Sequence, residues 1–393
     1  MSTQAQTKQH VMNTYARKPI TLVEGKGAIV FDDQGKRYVD FSSGIGVNAL
    51  GYCDPDWSAA VAKQSQLLQH TSNLYYTQPM AQVAQILCQR TNYSKAFFGN
   101  SGAEANEGAI KLARKYSFDR YGKEANRYKI LTLVDSFHGR TITTLAATGQ
   151  DVFHQSFDPF TEGFDYVEVN NLEALKAKMD ASVCAVMIEF VQGEGGIHLL
   201  NPDYVEALFE LCATQDVLVI ADEVQTGIGR TGTLLASEHY HVQPDITTLA
   251  KGLGGGLPIG AILCTEKLAN VFQPGDHATT FGGNPVVCAG AKVVLEKLND
   301  ALLEAVQQKE KVIRQQLTNL PSVKKIDGIG LMLGIQLTDK KATDVIDQCL
   351  EQGLIVLSAK EKIRLLPPLT ITDTELNEGL AILAKVLMSQ PKE

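Results

Sequence analysis

Apolar side chains recur at helical spacing over Ala59–His70, Ala81–Thr91 and Glu104–Tyr121. Between and after them come short apolar runs: Lys129–Val134, Cys184–Phe190, Val217–Ala221, Ile246–Leu249 and Gly260–Cys264. Runs this short read as strands buried on both faces, because a strand with one wet face would alternate. Helical and strand segments taken in turn predict an α/β fold, a mostly parallel sheet covered by helices. Ahead of it, Thr21–Phe41 alternates β-branched and aromatic with polar residues around the turn signal Asp32–Lys36, which predicts a small antiparallel hairpin. Past Pro285, a long helical stretch (Val286–Leu320) leads to a strand-rich region (Val323–Leu337). A helix over Ala342–Gln352, strands near Leu354 and Ile363 and a last helix from Asp373 complete a smaller α+β unit. Three parts are expected: an N-terminal segment over 1–45, a large domain over 46–285 and a small C-terminal domain over 286–393. No repeat or Pro/Ser-rich linker divides them.

The 393 residues suffice for such an architecture, and 44% hydrophobic with 20% charged residues is an ordinary globular balance. Charge changes the picture more: 36 Lys+Arg against 44 Asp+Glu gives −8, which argues against a nucleic-acid surface. An anionic small molecule would need a local basic site. The seven cysteines are odd in number, spread out and never in a CxxC pair, so they read as reduced, mostly buried thiols. MSTQAQTKQHVMNTYARKP has no signal-peptide core, and no apolar run nears the roughly 18 residues of a membrane span. The expected location is the cytoplasm.

Three segments carry candidate chemistry. In VLVIADEVQTGIGRTG, the strand Val217–Ala221 ends in Asp222 and Glu223, and ligands of open α/β sheets gather at the carboxyl ends of strands. An acid there either meets a ligand or caps the next segment. Gly227, Gly229 and Gly232 spell GxGxxG, yet they do not directly follow the strand and open no long helix. No acid stands about 20 residues on, so a dinucleotide site is not supported. In DITTLAKGLGGGLPIGA, Lys251 sits between an apolar run and a run of glycines. An apolar setting lowers an amine's pKa, which suits an imine-forming nucleophile; a lysine snorkelling at a strand end would read the same way. In FFGNSGAEANEGAIKLARKY, Ser101 and Glu104 form an S-x-x-E capping box, and Ala105, Ala109, Leu112, Ala113 and Tyr116 keep helical period. Gly102 and Ala103 then occupy the first turn, where unpartnered N–H groups and small side chains suit a phosphate. No GxxxxGK[ST] occurs, which argues against a nucleoside triphosphate. His239 and His241 are the only close pair of histidines, and a solvated loop explains them better than a metal.

An imine-forming lysine, an acid at a strand end and a phosphate-binding helix terminus together describe pyridoxal 5'-phosphate chemistry. The motifs GNSGAEANEGAIKLAR, SFHGRT, QGEGG, ADEVQTGIGRTG, LAKGLGGGLPIGA, HATTFGGNP and IRLLPPL, in that order across residues 15–368, resemble those of the class III aminotransferases of fold type I. The resemblance implies a pyridoxal-phosphate-dependent transferase with a mostly parallel sheet in its large domain. It implies that Lys251 binds the cofactor covalently and shuttles a proton, that Asp222 pairs with the pyridine nitrogen and that Gln225 bonds the ring oxygen. Val224 and Phe137 would cover the ring faces. Ser101, Gly102 and Ala103 would hold the phosphate, Glu223 would join the cofactor contacts, and Thr280 would reach the phosphate from a partner subunit, making a homodimer with shared sites. Substrate roles follow by the same resemblance. Arg140 would take the α-carboxylate of an acylated ornithine or the side-chain carboxylate of glutamate, and Arg364 the α-carboxylate of glutamate. Glu194 would pair with Arg364 when a terminal-amine substrate is bound; as isolated residues, such arginines would read as surface ion pairs. Tyr15, Asn73 and, from the partner, Thr279 are the remaining expected substrate contacts, and His138 is expected to be a stacking neighbour. His70–Pro79 and the small residues Ser42–Gly46 are similar to family members acting on acetylornithine. The implied reaction is ping-pong transfer of its terminal amine to 2-oxoglutarate. Succinylornithine, ornithine and 4-aminobutyrate stay open within the family, and a nucleotide-dependent oxidoreductase outside it.

Overall fold

The computed structural model describes residues 1–389. Leu22–Lys26 (β1), Ile29–Asp32 (β2) and Arg37–Asp40 (β3) form an antiparallel meander, three strands in place of the expected two. The additional reversal falls between β1 and β2 at Gly27, whose φ of +60° suits glycine. Lys95–Gly99 (β4), Lys129–Leu133 (β5), Phe164–Val167 (β6) and Val183–Ile188 (β7) follow. A ribbon of Val191–Gln192 (β8) and His198–Leu199 (β9) precedes Leu218–Asp222 (β10), Ile246–Leu249 (β11) and Gly260–Cys264 (β12).

Seven of these strands make the central sheet, ordered β4-β12-β11-β10-β7-β5-β6. All run parallel except β12, which is antiparallel to both neighbours. The central strands β7, β10, β11 and β12 are buried at every position, which is why they stand out as unbroken apolar runs. The edge strands β4 and β6 are partly exposed and short; Asp165 interrupts β6 and β4 keeps only Ala96–Gly99 apolar, so the pattern misses both. Alternate residues feed opposite faces. Leu131, Val186, Ile188 and Val219 pack with Val205 and Leu208 of the helix Pro202–Thr214, whereas Ile130, Met187, Leu218 and Ile220 pack with Ala105, Ala109 and Ala113 of the helix Gly102–Tyr121.

Beyond the sheet, the stretch read as one long helix is two, Pro285–Lys297 and Asp300–Leu317. Asn299 breaks it by accepting the Leu302 N–H with its side chain, a helix cap inside an apolar-periodic run. Val323–Ile329 (β13), Met332–Leu337 (β14), Leu354–Ile355 (β15), Leu357–Ala359 (β16) and Lys362–Leu365 (β17) complete the strands, with a second sheet ordered β13-β14-β17-β16. β15 instead pairs in parallel with β3. One buried cluster therefore runs from Val39 and Phe41 through Ile228, Leu249 and Leu253 to Leu333, Ile363 and Leu380.

The carboxyl ends of β4, β5, β7, β10 and β11 open on one edge of the sheet, and the first residue of antiparallel β12, Gly260, lies beside Gly99 there. A Cβ on Gly260 would stand 2.2 Å from the Ser101 carbonyl oxygen. Backbone cannot rotate aside as a side chain can. Gly260→Ala is therefore expected to destabilise the protein by about 1–3 kcal/mol in urea unfolding.

Candidate active site

The residues at this edge enclose a cavity of about 470 Å³ lined by Ser101, Gly102, Ala103, Phe137, Arg140, Glu194, Asp222, Val224, Gln225 and Lys251. Segments up to 150 residues apart in sequence converge there because strand ends converge.

Asp222 ends β10 and is 5% exposed. One carboxylate oxygen, Oδ1, accepts the Val224 N–H at 3.0 Å, while Oδ2 accepts Asn106 Nδ2 at 2.7 Å and His138 Nδ1 at 2.8 Å. An acceptor-only carboxylate requires the histidine proton on Nδ1. His138 is thus a partner of Asp222, a contact beyond the stacking expected of it. Asn106 is oriented in turn: its Nδ2 also donates to the His138 carbonyl at 2.7 Å and its Oδ1 accepts the Thr248 hydroxyl at 2.7 Å. The pattern misses Asn106, though a signal exists: it is polar yet three and seven residues before Ala109 and Ala113 on the buried helix face.

Glu223 is placed elsewhere. Successive strand residues face opposite sides, so its carboxylate turns from the cavity and accepts the N–H groups of Ala236 (2.6 Å) and Ser237 (2.9 Å) and the Thr226 hydroxyl (2.9 Å). Burial pushes this carboxyl up to about 7 against those bonds. It ties down the glycine-containing loop and does not line the cavity, contrary to the expected cofactor contact.

Lys251 follows β11 at φ +41°, an uncommon conformation for a side-chain-bearing residue. Burial lowers the pKa of its amine, with Glu194 and then Asp222 opposing. At the helix Gly102–Tyr121, Ser101 Oγ accepts the Glu104 N–H at 3.1 Å, as a cap should. The reciprocal half of the expected box differs: the Glu104 carboxylate reaches one residue further back, to the N–H and side-chain amide of Asn100. The first intrahelical bond runs from Ala105 N–H to Ser101 O, which leaves the N–H groups of Gly102 and Ala103 at the open helix end. A Cβ on Gly102 would lie 2.8 Å from Val224 Cγ1, so only glycine lets backbone, Val224 and a ligand share this corner.

Arg364, from β17, is 3% exposed. Its Nη1 donates to Glu194 Oε1 at 2.6 Å, Gln225 Oε1 at 3.3 Å and the Gly193 carbonyl at 3.4 Å, and its Nε is buried without a partner. Burial raises the Glu194 carboxyl, but the Arg364 guanidinium outweighs it and leaves the group below its ordinary value. Arg140 is exposed, lies over the rings of Phe153 (4.1 Å) and Phe137 (5.3 Å), and forms no ion pair among the described residues.

The single chain does not bring Thr279, Thr280, Asn73 or Tyr15 to this cavity. Thr279 and Thr280 line a neighbouring hollow, where Thr279 Oγ1 accepts from Asn100 Nδ2 at 3.0 Å. Asn73 donates to the Gly282 carbonyl at 2.9 Å, and Tyr15 is 71% exposed on the N-terminal segment.

Comparison with known proteins gives a consistent result. A family model described as aminotransferase class-III matches residues 11–387. The chain is 52% identical over 380 residues to an acetylornithine aminotransferase of Haemophilus ducreyi, covering 96% of each, and 45% identical over 370 residues to one of Methanocaldococcus jannaschii, covering 93% of this chain and 92% of that one. Among solved structures, it is similar to an ornithine aminotransferase of Toxoplasma gondii, with TM-score 0.92, 32% identity, and 98% and 94% of the two chains covered. An N-acetylornithine aminotransferase of Stenotrophomonas maltophilia gives TM-score 0.84, 36% identity, and 97% of each chain.

Proposed function

We propose, for a chain that belongs to the class-III aminotransferases, that it transfers the terminal amino group of acetylornithine to 2-oxoglutarate, with pyridoxal 5'-phosphate held beside Lys251. The observation that carries this reading is a pair of arginines at the cavity: Arg364, which reaches it only through Glu194 and is neutralised by it, and Arg140, which lines it and is free of any carboxylate among the described residues. Transferring between a terminal amine and an α-amine requires a site that presents one cation to the first substrate and two to the second. Arg140 serves the carboxylate of acetylornithine while Glu194 keeps Arg364 neutralised. Glutamate brings a second carboxylate, which takes the place of Glu194 on Arg364.

The cavity suits the cofactor. Gly102 and Ala103 present N–H groups to a phosphate, and no side chain bulks that corner. When bound, the cofactor supplies an electron sink for the bonding pair of the substrate carbon. The Lys251 amine, its pKa lowered by burial, would take the proton from that carbon and deliver it to the cofactor, so that the amino group stays behind when the keto product leaves. Asp222, held by Asn106, His138 and Val224, keeps a proton at the ring nitrogen. Gln225, Val224 and Phe137 orient the ring.

The reading extends to a homodimer in which Thr280 and Thr279 act on the partner's site. Their position in a separate hollow supports it, as do the exposed Phe281 beside them and the exposed Leu74, Tyr75 and Tyr76, whose segment is tied to theirs by the Asn73–Gly282 hydrogen bond. Segments 1–45, 46–285 and 286–393 would be its working parts, with Arg364 carried by the last. Location in the cytoplasm accords with the lack, among the described residues, of any helix long and apolar enough to cross a membrane. A panel of amino donors with 2-oxoglutarate as acceptor tests the substrate. The kcat/KM for acetylornithine should exceed those for ornithine and 4-aminobutyrate by at least about tenfold, since ornithine carries a charged α-amine in place of the acylated one and 4-aminobutyrate carries neither. Preference for either rival would overturn the assignment.

A further inference from the structure

Glu189 follows β7, lines the same cavity, is 5% exposed, and has no lysine or arginine paired with it among the described residues. A buried carboxylate without a cation is costly and needs a compensating task. Its two oxygens serve two loops. Oε2 accepts the Phe137 N–H at 3.0 Å and Oε1 accepts the Gly193 N–H at 3.3 Å. Phe137 begins the turn that carries His138 and Arg140. Gly193 precedes Glu194, and its carbonyl takes the 3.4 Å bond from Arg364. The same two loops meet at Gln192 Nε2, which donates to the Val134 carbonyl at 2.8 Å, and at Gly195, where a Cβ would stand 2.4 Å from the Asp135 carbonyl oxygen. On the far side of Glu194, Gly195 is followed by Gly196 at φ +108°, a turn that favours glycine. Glu194 thus stands between the tethered Gly193 and a glycine pair.

We propose that Glu189 is a positioning residue for substrate choice, the anchor that holds Gly193 to the Arg140 loop so that Glu194 closes on Arg364 in a single register. This rests on the alternating use of Arg364 given above. Burial pushes the Glu189 carboxyl up to about 7, with His138 pulling it down and Asp222 adding to the rise, so the anchor sits in a strained electrostatic setting. Losing the anchor weakens the state in which Glu194 covers Arg364, which the terminal-amine donor needs. The state in which a substrate carboxylate occupies Arg364 depends on it less.

The test is Glu189→Gln, which keeps the volume but turns an amide NH₂ toward one of the two N–H donors, with Glu189→Asp as a second variant that keeps the charge and shortens the reach. In half-reactions of the loaded enzyme, kcat/KM for acetylornithine should fall about ten- to hundredfold while that for glutamate changes by less than about threefold. In the cofactor-free protein, hydrogen exchange at whichever of the Gly193 and Phe137 amides loses its acceptor should quicken by about tenfold or more in either variant. Equal losses for both donors, or unchanged exchange at both amides, would overturn the anchor. Should the wild-type protein not accept acetylornithine, the substrate assignment falls, and amide exchange in the cofactor-free protein still decides the anchor on its own.

Discussion

Lys251→Ala should lose transamination by at least about 10⁴-fold, because it removes the proton-transferring amine and the nucleophile together. Proton transfer alone accounts for that order of magnitude. Among the described residues no other lysine lines the cavity to substitute for it. Borohydride reduction followed by peptide mass analysis gives a second readout: the wild-type Lys251 peptide gains the mass of the cofactor, and the variant gains none. The fold should survive, since the φ of +41° at this position is no harder for alanine than for lysine. An active Lys251→Ala protein, or cofactor attached to a different lysine, would end the mechanistic proposal.

Asp222→Ala comes next, with an expected loss in kcat of about 10³-fold, the scale associated with removing a preorganised charge from a water-poor site. The KM for the amino donor should change little, because Arg140 and Arg364, not Asp222, meet the substrate. Stability should fall as well, by about 1–3 kcal/mol for each donor left unpaired, and two buried donors lose their acceptor: Asn106 Nδ2 keeps only the His138 carbonyl, and His138 Nδ1 keeps nothing. Measuring kcat and urea stability together separates the two effects. The catalytic loss is far larger than a stability change of that size can produce in a protein that remains folded at assay temperature. A kcat within about tenfold of wild type would remove Asp222 from the mechanism.

The parts of this site that could be read along the chain share a property: their chemistry is written in consecutive residues. Gly102 and Ala103 are legible because a helix cap and its small first turn lie within four positions, and Lys251 because its apolar and glycine neighbours adjoin it. Asp222 is legible because a buried strand runs straight into it. The central strands are legible for the same reason, whereas edge strands β4 and β6 are not, since they are only partly buried and carry too short an apolar run. The Asn299 cap that splits the long helical stretch shows the reverse, a single polar residue overriding a regular period.

The α/β order of elements, the strand-end acid, the lysine and the small-residue helix terminus are all written along the chain, because hydrophobic period and capping are local and need no knowledge of neighbours across the fold. Tertiary structure alone decided which polar groups answer them. His138 meets Asp222 across 84 residues, Asn106 meets it across 116, and Glu189 reaches Phe137 across 52. It also decided that Asp222 turns into the cavity while its neighbour Glu223 turns away, and that Arg364 arrives from a different sheet to meet Glu194. Hydrogen bonds and ion pairs act over about 3 Å, and a chain brings distant residues that close only when its sheets and helices have packed.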